Sequence, residues 1–160
     1  MVNVRVSFSR MGWSYIFFKG LFHDLPGIEV VEHPLVNTEI VSEGVKCSPE
    51  FVCFPFKVIL GEMINLYRNY DVKDFAMIAD YGPCRAGMYG VVQKRIMKNI
   101  GFKDVRMFYL RQYDFRNLEW LRVFSDLEKR TGRKFEDYKI LRNTLLFLIR
   151  AHFMLARMND

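Results

Sequence analysis

Alternating apolar and polar residues open the chain. Val2, Val4, Val6 and Phe8 are separated by Asn3, Arg5 and Ser7, a β-branched pattern of period two that predicts a first strand. A loop from Ser9 to Ser14 leads into an aromatic helical segment, Tyr15 to Leu25, whose end is marked by Pro26 and Gly27. Ile28 to Val31 predicts strand two, and this strand–helix–strand start points to a parallel sheet. Pro34 to Val45 is less regular and is expected to loop across the carboxyl edge of that sheet. Helical spacing returns from about Phe56 to Tyr70, with Pro55 suited to the first turn. Phe75 to Ala79 then reads as a short buried strand, which Gly82 and Pro83 break. Met88, Val91, Val92, Ile96 and Ile100 give a helix over Ala86 to Ile100, Gly101 stops it, and Val105 to Leu110 is the next strand. From Asn117 onward Leu118, Leu121, Phe124 and Leu127 form one helical face, Thr131-Gly132 interrupts it, and helical periodicity resumes from Phe135 to Met158. No internal repeat or low-complexity segment is found.

These elements predict an α/β, Rossmann-like fold: a mainly parallel sheet with helices on both faces and a C-terminal helical extension. Residues 1–110 are expected to form an α/β domain carrying the cysteines, and residues 111–160 a helical extension packed on that domain or forming an interface. In the extension Leu141, Leu145, Leu148, Ile149 and Phe153 recur at helical spacing, and Leu146, Phe147 and Leu155 widen the stripe. Apolar surface of that breadth predicts a homodimer, or a partner protein docked through the C-terminal helices.

Composition narrows the class. With 160 residues and 51% hydrophobic content the chain can bury a real core. It shows no secretory signal pattern and no apolar run long enough to cross a bilayer, so a soluble cytoplasmic protein without a membrane partner is expected. Even the most apolar stretch, Ile140 to Ala156, is interrupted by Arg142, Arg150 and His152. The net charge of +6 raises the question of nucleic acid. Basic residues of the later helices alternate with acidic ones, as in Asp126-Leu127-Glu128-Lys129-Arg130, so a nucleic-acid partner is not expected.

The candidate chemistry lies in Lys46 to Tyr89, which holds the chain's three cysteines, Cys47, Cys53 and Cys84. In a reducing compartment they read as free thiols or metal ligands rather than a disulfide framework. Cys84 follows a strand and precedes a helix, and Cys53 precedes a helix opened by Pro55; both thiols then sit near helix N-termini, which stabilise thiolates. The spacing does not match a closed zinc site, and His23, His33 and His152 are scattered. Cys47, Cys53 and Cys84 can hold three irons of a cubane cluster. Nucleophilic catalysis by one cysteine is weaker, since no His or Asp is tied to any of them by sequence. Small buried apolar residues remain an open alternative.

Cys53-Phe54-Pro55-Phe56-Lys57 with Gly61, followed by Gly82-Pro83-Cys84-Arg85-Ala86-Gly87-Met88-Tyr89, resembles the 2-hydroxyacyl-CoA dehydratase superfamily. Together with Ser7-Phe8-Ser9-Arg10-Met11-Gly12, these motifs are similar to its branch of acyl-CoA dehydratase activase-related proteins, often labelled predicted nucleotide-binding proteins. The resemblance runs from about Val4 to Leu110. It implies an α/β protein with a cysteine-bound iron–sulfur cluster of the 4Fe–4S type, serving electron transfer or reductive chemistry. Cys53 and Cys84 match as ligands and Cys47 is the third. Arg10, Lys57 and Arg85 are expected to offset the cluster's negative charge or bind an anionic cofactor. Trp13 and Tyr89 are read chiefly as core, with shielding of a cluster as their other role. Family members tend to be longer, so an enzymatic role here would be that of a dehydratase- or reductase-type component needing a partner or second domain. An acyl-CoA or a redox partner is implied with it. The competing readings are a non-catalytic interaction module that retains the fold and a nucleotide- or acyl-CoA-binding accessory protein; no GxGxxG or P-loop pattern supports the nucleotide label.

Overall fold

Four parallel strands in the order β2-β1-β3-β4 form the centre of the molecule. The computed structural model describes residues 3–9, 14–79, 84–110 and 121–158. The strands are β1 (Val4–Phe8), β2 (Ile28–Val30), β3 (Asp74–Ile78) and β4 (Arg106–Leu110). The helices are α1 (Ser14–Leu21), α2 (Thr38–Cys47), α3 (Phe54–Tyr70), α4 (Tyr89–Asn99), α5 (Leu121–Thr131) and α6 (Asp137–Met158). This is the expected α/β, Rossmann-like arrangement with C-terminal helices. The order reverses between β1 and β3, and the carboxyl end of that junction is where ligands bind in open parallel sheets.

The period-two pattern divides the core between the two faces of the sheet. On one face Val4, Val6, Phe8 and Ala76 pack against Phe18 of α1, Phe22 just past its end, and Phe124, Leu127 and Phe135 of the C-terminal segment. Phe8 stacks on Phe18 with ring centroids 5.3 Å apart, and Phe22 lies 6.1 Å from Phe124, so burial of aromatic rings joins α1 to α5. Each such ring contributes about 1.5–3 kcal/mol by leaving water. On the other face Phe75, Met77 and Met107 meet Leu60, Met63 and Ile64 of α3 and Met97 of α4. The C-terminal helices thus contribute side chains to the core of the α/β unit.

One element departs from expectation. Part of the stretch 34–45, expected to be irregular, forms α2, capped by the Asn37 carboxamide oxygen, which accepts from the Ile40 amide at 2.9 Å. This helix has only a narrow buried edge, Ile40 and Gly44, so an apolar stripe does not announce it. Its partner is α3, and the two backbones nearly touch: a Cβ on Gly44 would stand 1.9 Å from the Lys57 carbonyl oxygen, and one on Gly61 2.0 Å from that of Ile40. Glycine is required at both positions by contact with backbone, which cannot yield as a side chain can.

A charged cluster ties α5 to the amino edge of the sheet. Asp74, at the start of β3, has a side chain only 2% exposed. It accepts paired hydrogen bonds from Arg106 of β4 at 2.8 and 2.9 Å and from Arg130 of α5 at 2.6 and 2.6 Å. Burial pushes its carboxyl up, but the two guanidiniums outweigh that and hold it below the ordinary carboxylate range. A second buried pair, His33 Nδ1 and Glu62 Oε2 at 3.5 Å, joins the segment after β2 to α3. No described helix is long and apolar enough to cross a membrane.

Candidate thiol site

The chain reaches the carboxyl edge of the sheet carrying its sulfur. Cys47 is the last residue of α2, and Cys53 occupies the N-cap position of α3, in extended conformation, with Pro55 in the first turn as expected. Cys84 occupies the N-cap position of a short 3-10 turn, Arg85–Met88, that runs into α4. Cys53 and Cys84 are exposed, whereas Cys47 is half-buried. Both predicted helix-start thiols therefore sit at the first turn of a helical segment, where the Phe56 and Gly87 amides close on the Cys53 and Cys84 carbonyls.

Tyr89, the first residue of α4, is the centre of the arrangement. Its ring is buried and meets Phe56 edge-on, with centroids 5.1 Å apart, and its hydroxyl hydrogen-bonds Cys53 Sγ. That bond is the main reason the Cys53 thiol lies below its ordinary value; slight burial opposes it, while the Phe56 and Cys53 amides and the charge of Arg85 add to it. Tyr89 moves the opposite way, to about 12, through burial first, then the bond to Cys53 and the charges of Cys53 and Cys84. Either atom can supply the proton of this bond, and because the phenol holds its proton more tightly than the thiol, Tyr89 is the donor once Cys53 is a thiolate. Gln93, fully buried one turn further along α4, donates to the Phe56 carbonyl at 3.1 Å and fixes α4 to the start of α3.

Beside this pair lies a mainly apolar cavity of about 260 Å³, lined by Val52, Phe56, Met88, Tyr89 and Val92 with Cys53 and Arg85. Arg85 lines the same cavity as Cys53. Lys57 is not among the lining residues; its ammonium reaches the Glu50 carbonyl at 3.4 Å and closes the α2–α3 loop. Cys47 packs against the α3 core, and burial, with the charge of Glu43, pushes its thiol up. Arg10, Trp13, Gly12, Gly82 and Pro83 lie outside the described residues.

The Tyr89–Cys53 bond is not foreseen from the sequence, although Tyr89 stands in the motif that ends the cysteine-bearing stretch. The two residues are 36 positions apart, and no spacing rule joins them. The available signal was chemical: a tyrosine next to a strand-end cysteine motif. Among the described residues no group of three or more His, Cys, Asp or Glu side chains is placed to hold a metal ion. Cys53 lines the cavity and bonds the Tyr89 hydroxyl, and Cys84, at the start of the turn that leads into Tyr89, is exposed. Thiolates suit iron–sulfur or other thiophilic centres, and the exposed Cys53 and Cys84 have that donor chemistry. Cys47 fits only with its side chain turned from the core and its proton lost. No protein-family model, curated protein or solved structure matches the chain.

Proposed function

We propose that this is a redox protein in which Cys53 and Cys84, with Cys47 as the third ligand, hold an iron–sulfur cluster at the carboxyl edge of the sheet for electron transfer or reductive chemistry. The observation that supports it is the hydrogen bond between Cys53 and the Tyr89 hydroxyl beside an apolar cavity, with Cys84 at the N-cap of the turn that leads into Tyr89. When bound, the cluster supplies one-electron transfer. The chain's own residues supply the surroundings. Tyr89 directs a donor at Cys53, Arg85 offsets thiolate charge, and Val52, Phe56 and Val92 limit water on one side. The motif resemblance to the 2-hydroxyacyl-CoA dehydratase superfamily points the same way. Iron and acid-labile sulfide analysis of anaerobically purified protein is the test: Cys53→Ser and Cys84→Ser are expected to lose most bound iron, and Cys47→Ser a smaller share. Full iron retention by Cys84→Ser would refute the reading.

The same reading gives α6 an interface. Tyr138, Leu141, Leu145 and Ile149 follow one another along its outer face and are 61%, 69%, 55% and 41% exposed. This stripe is assigned to a second copy or to a protein supplying a further domain. Sedimentation across a dilution series is expected to show association that Leu145→Asp abolishes; a strict monomer at high concentration, with no co-purifying protein, rules it out.

A further inference from the structure

The outward face of α4 combines two properties that the thiol site does not require. The first is charge. Residues 84–103 contain Arg85, Lys94, Arg95, Lys98 and Lys103 and no acidic residue. Among the described residues neither Arg85, Lys94, Arg95 nor Lys98 has an acidic side chain within ion-pair distance, although other cations of the fold do, as Arg5, Lys19, Arg68, Lys73 and Arg106 show. Lys94 is held below the ordinary lysine value mainly by burial, with the charge of its neighbour Lys98 adding to it. The second property is apolar exposure. Val91 and Met88 are 44% and 56% exposed and share the helix face with Arg95 and Lys98, by the spacing of three and four residues. Met88 and Val92 also line the cavity beside Cys53. Phe51 and Phe54, on the loop before α3 and at its start, are 90% and 62% exposed.

We propose that this face, Met88, Val91 and Val92 bordered by Arg85, Arg95 and Lys98, is the docking surface for an acidic protein that exchanges electrons with the thiol site. Charge complementarity selects the partner: unpaired cations around an apolar centre steer an acidic surface and orient it, while the apolar centre supplies contact area. Continuity with the cavity places that partner against Cys53. Exposed valine and methionine at the centre favour protein over nucleic acid, whose phosphates would leave them uncovered. The inference rests on the redox reading for the purpose of docking, but not for its detection.

The test uses the full chain, isotope-labelled, titrated with an acidic plant-type ferredoxin as probe and followed by amide chemical shifts. Shifts are expected to concentrate in residues 84–98, to weaken steeply with salt, and to be lost on charge reversal. The Arg95→Glu, Lys98→Glu protein should bind about tenfold or more weakly. Val91→Asp should do the same with unchanged circular dichroism, and Leu145→Asp on α6 should leave binding intact. Absence of binding, binding unaffected by the charge reversal, or tighter binding of a double-stranded oligonucleotide through the same residues overturns the proposal. Iron content reports separately on the cluster: binding at α4 by a protein that takes up no iron leaves docking standing and removes the redox reading.

Discussion

At the amino end of the sheet a cleft of about 580 Å³ is lined by Arg5, Lys73, Asp74, Asp104, Arg106 and Arg130. At the carboxyl end the cavity beside Cys53 is less than half that volume, about 260 Å³, and mainly apolar. The larger cleft holds the stronger charges, yet they answer one another: Asp74 takes both guanidiniums, Lys73 reaches Asp104 at 3.1 Å, and Arg5 reaches Glu29 at 3.0 Å. At the smaller cavity the groups are left with capacity. Cys53 is exposed, Arg85 has no acidic partner among the described residues, and the Tyr89 hydroxyl bonds the Cys53 sulfur. Volume is therefore a poor guide to chemistry in this molecule; unspent bonding capacity is the better one.

If the amino end is structural, Asp74 is where the two ends should differ most. Asp74→Asn removes the buried carboxylate between Arg106 and Arg130, leaving Arg130 only the exposed Asp126 at 3.6 Å, and is expected to destabilise the fold by about 3–5 kcal/mol in urea unfolding while leaving thiol alkylation rates unchanged. A loss below about 1 kcal/mol would deny the cluster its role. The pH dependence has a definite sign. Because the folded carboxyl lies below its unfolded value, the stabilisation is complete above the unfolded carboxylate pKa of about 4 and is lost as pH falls through the folded value. The Asp74→Asn protein should lack that part of the acid slope.

At the carboxyl end a smaller effect is expected, on reactivity rather than stability. Tyr89→Phe removes the donor to Cys53, so the pH midpoint of Cys53 alkylation by iodoacetamide should rise and the rate near neutrality should fall several-fold. Stability should change by no more than about 1.5 kcal/mol, since the ring and its contact with Phe56 are retained. An unchanged alkylation profile would show that the hydroxyl does not act on the thiol.

What was legible in the chain follows from the range of the interactions. β1 and β3 declare themselves by alternation and by a short apolar run, and α3 by its spacing and Pro55, because those signals are local. α2 was hidden because its buried edge is only Ile40 and Gly44, and what fills that edge is the backbone of α3; its local marks were the cap at Asn37 and the charges of Glu39 and Lys46 at its ends. The cysteines were visible by type. Their sorting into an exposed pair and a half-buried third was not, since it depends on which side of α2 meets α3. Asp74 and Arg130 are 56 positions apart, and nothing in their spacing predicts the bond between them.

The glycine crossing of α2 and α3 also bears on how the site meets a ligand. With Gly44 and Gly61 seated against opposing carbonyls, the two helices move as one stiff body, and the loop from Ser48 to Cys53 is clamped at both ends. The thiol of Cys53 can turn about its side-chain bond, but the backbone beneath it has little room to follow. Ordering this loop costs its entropy once, when the chain folds, and little of that cost is left to weaken the binding of whatever arrives at the sulfur.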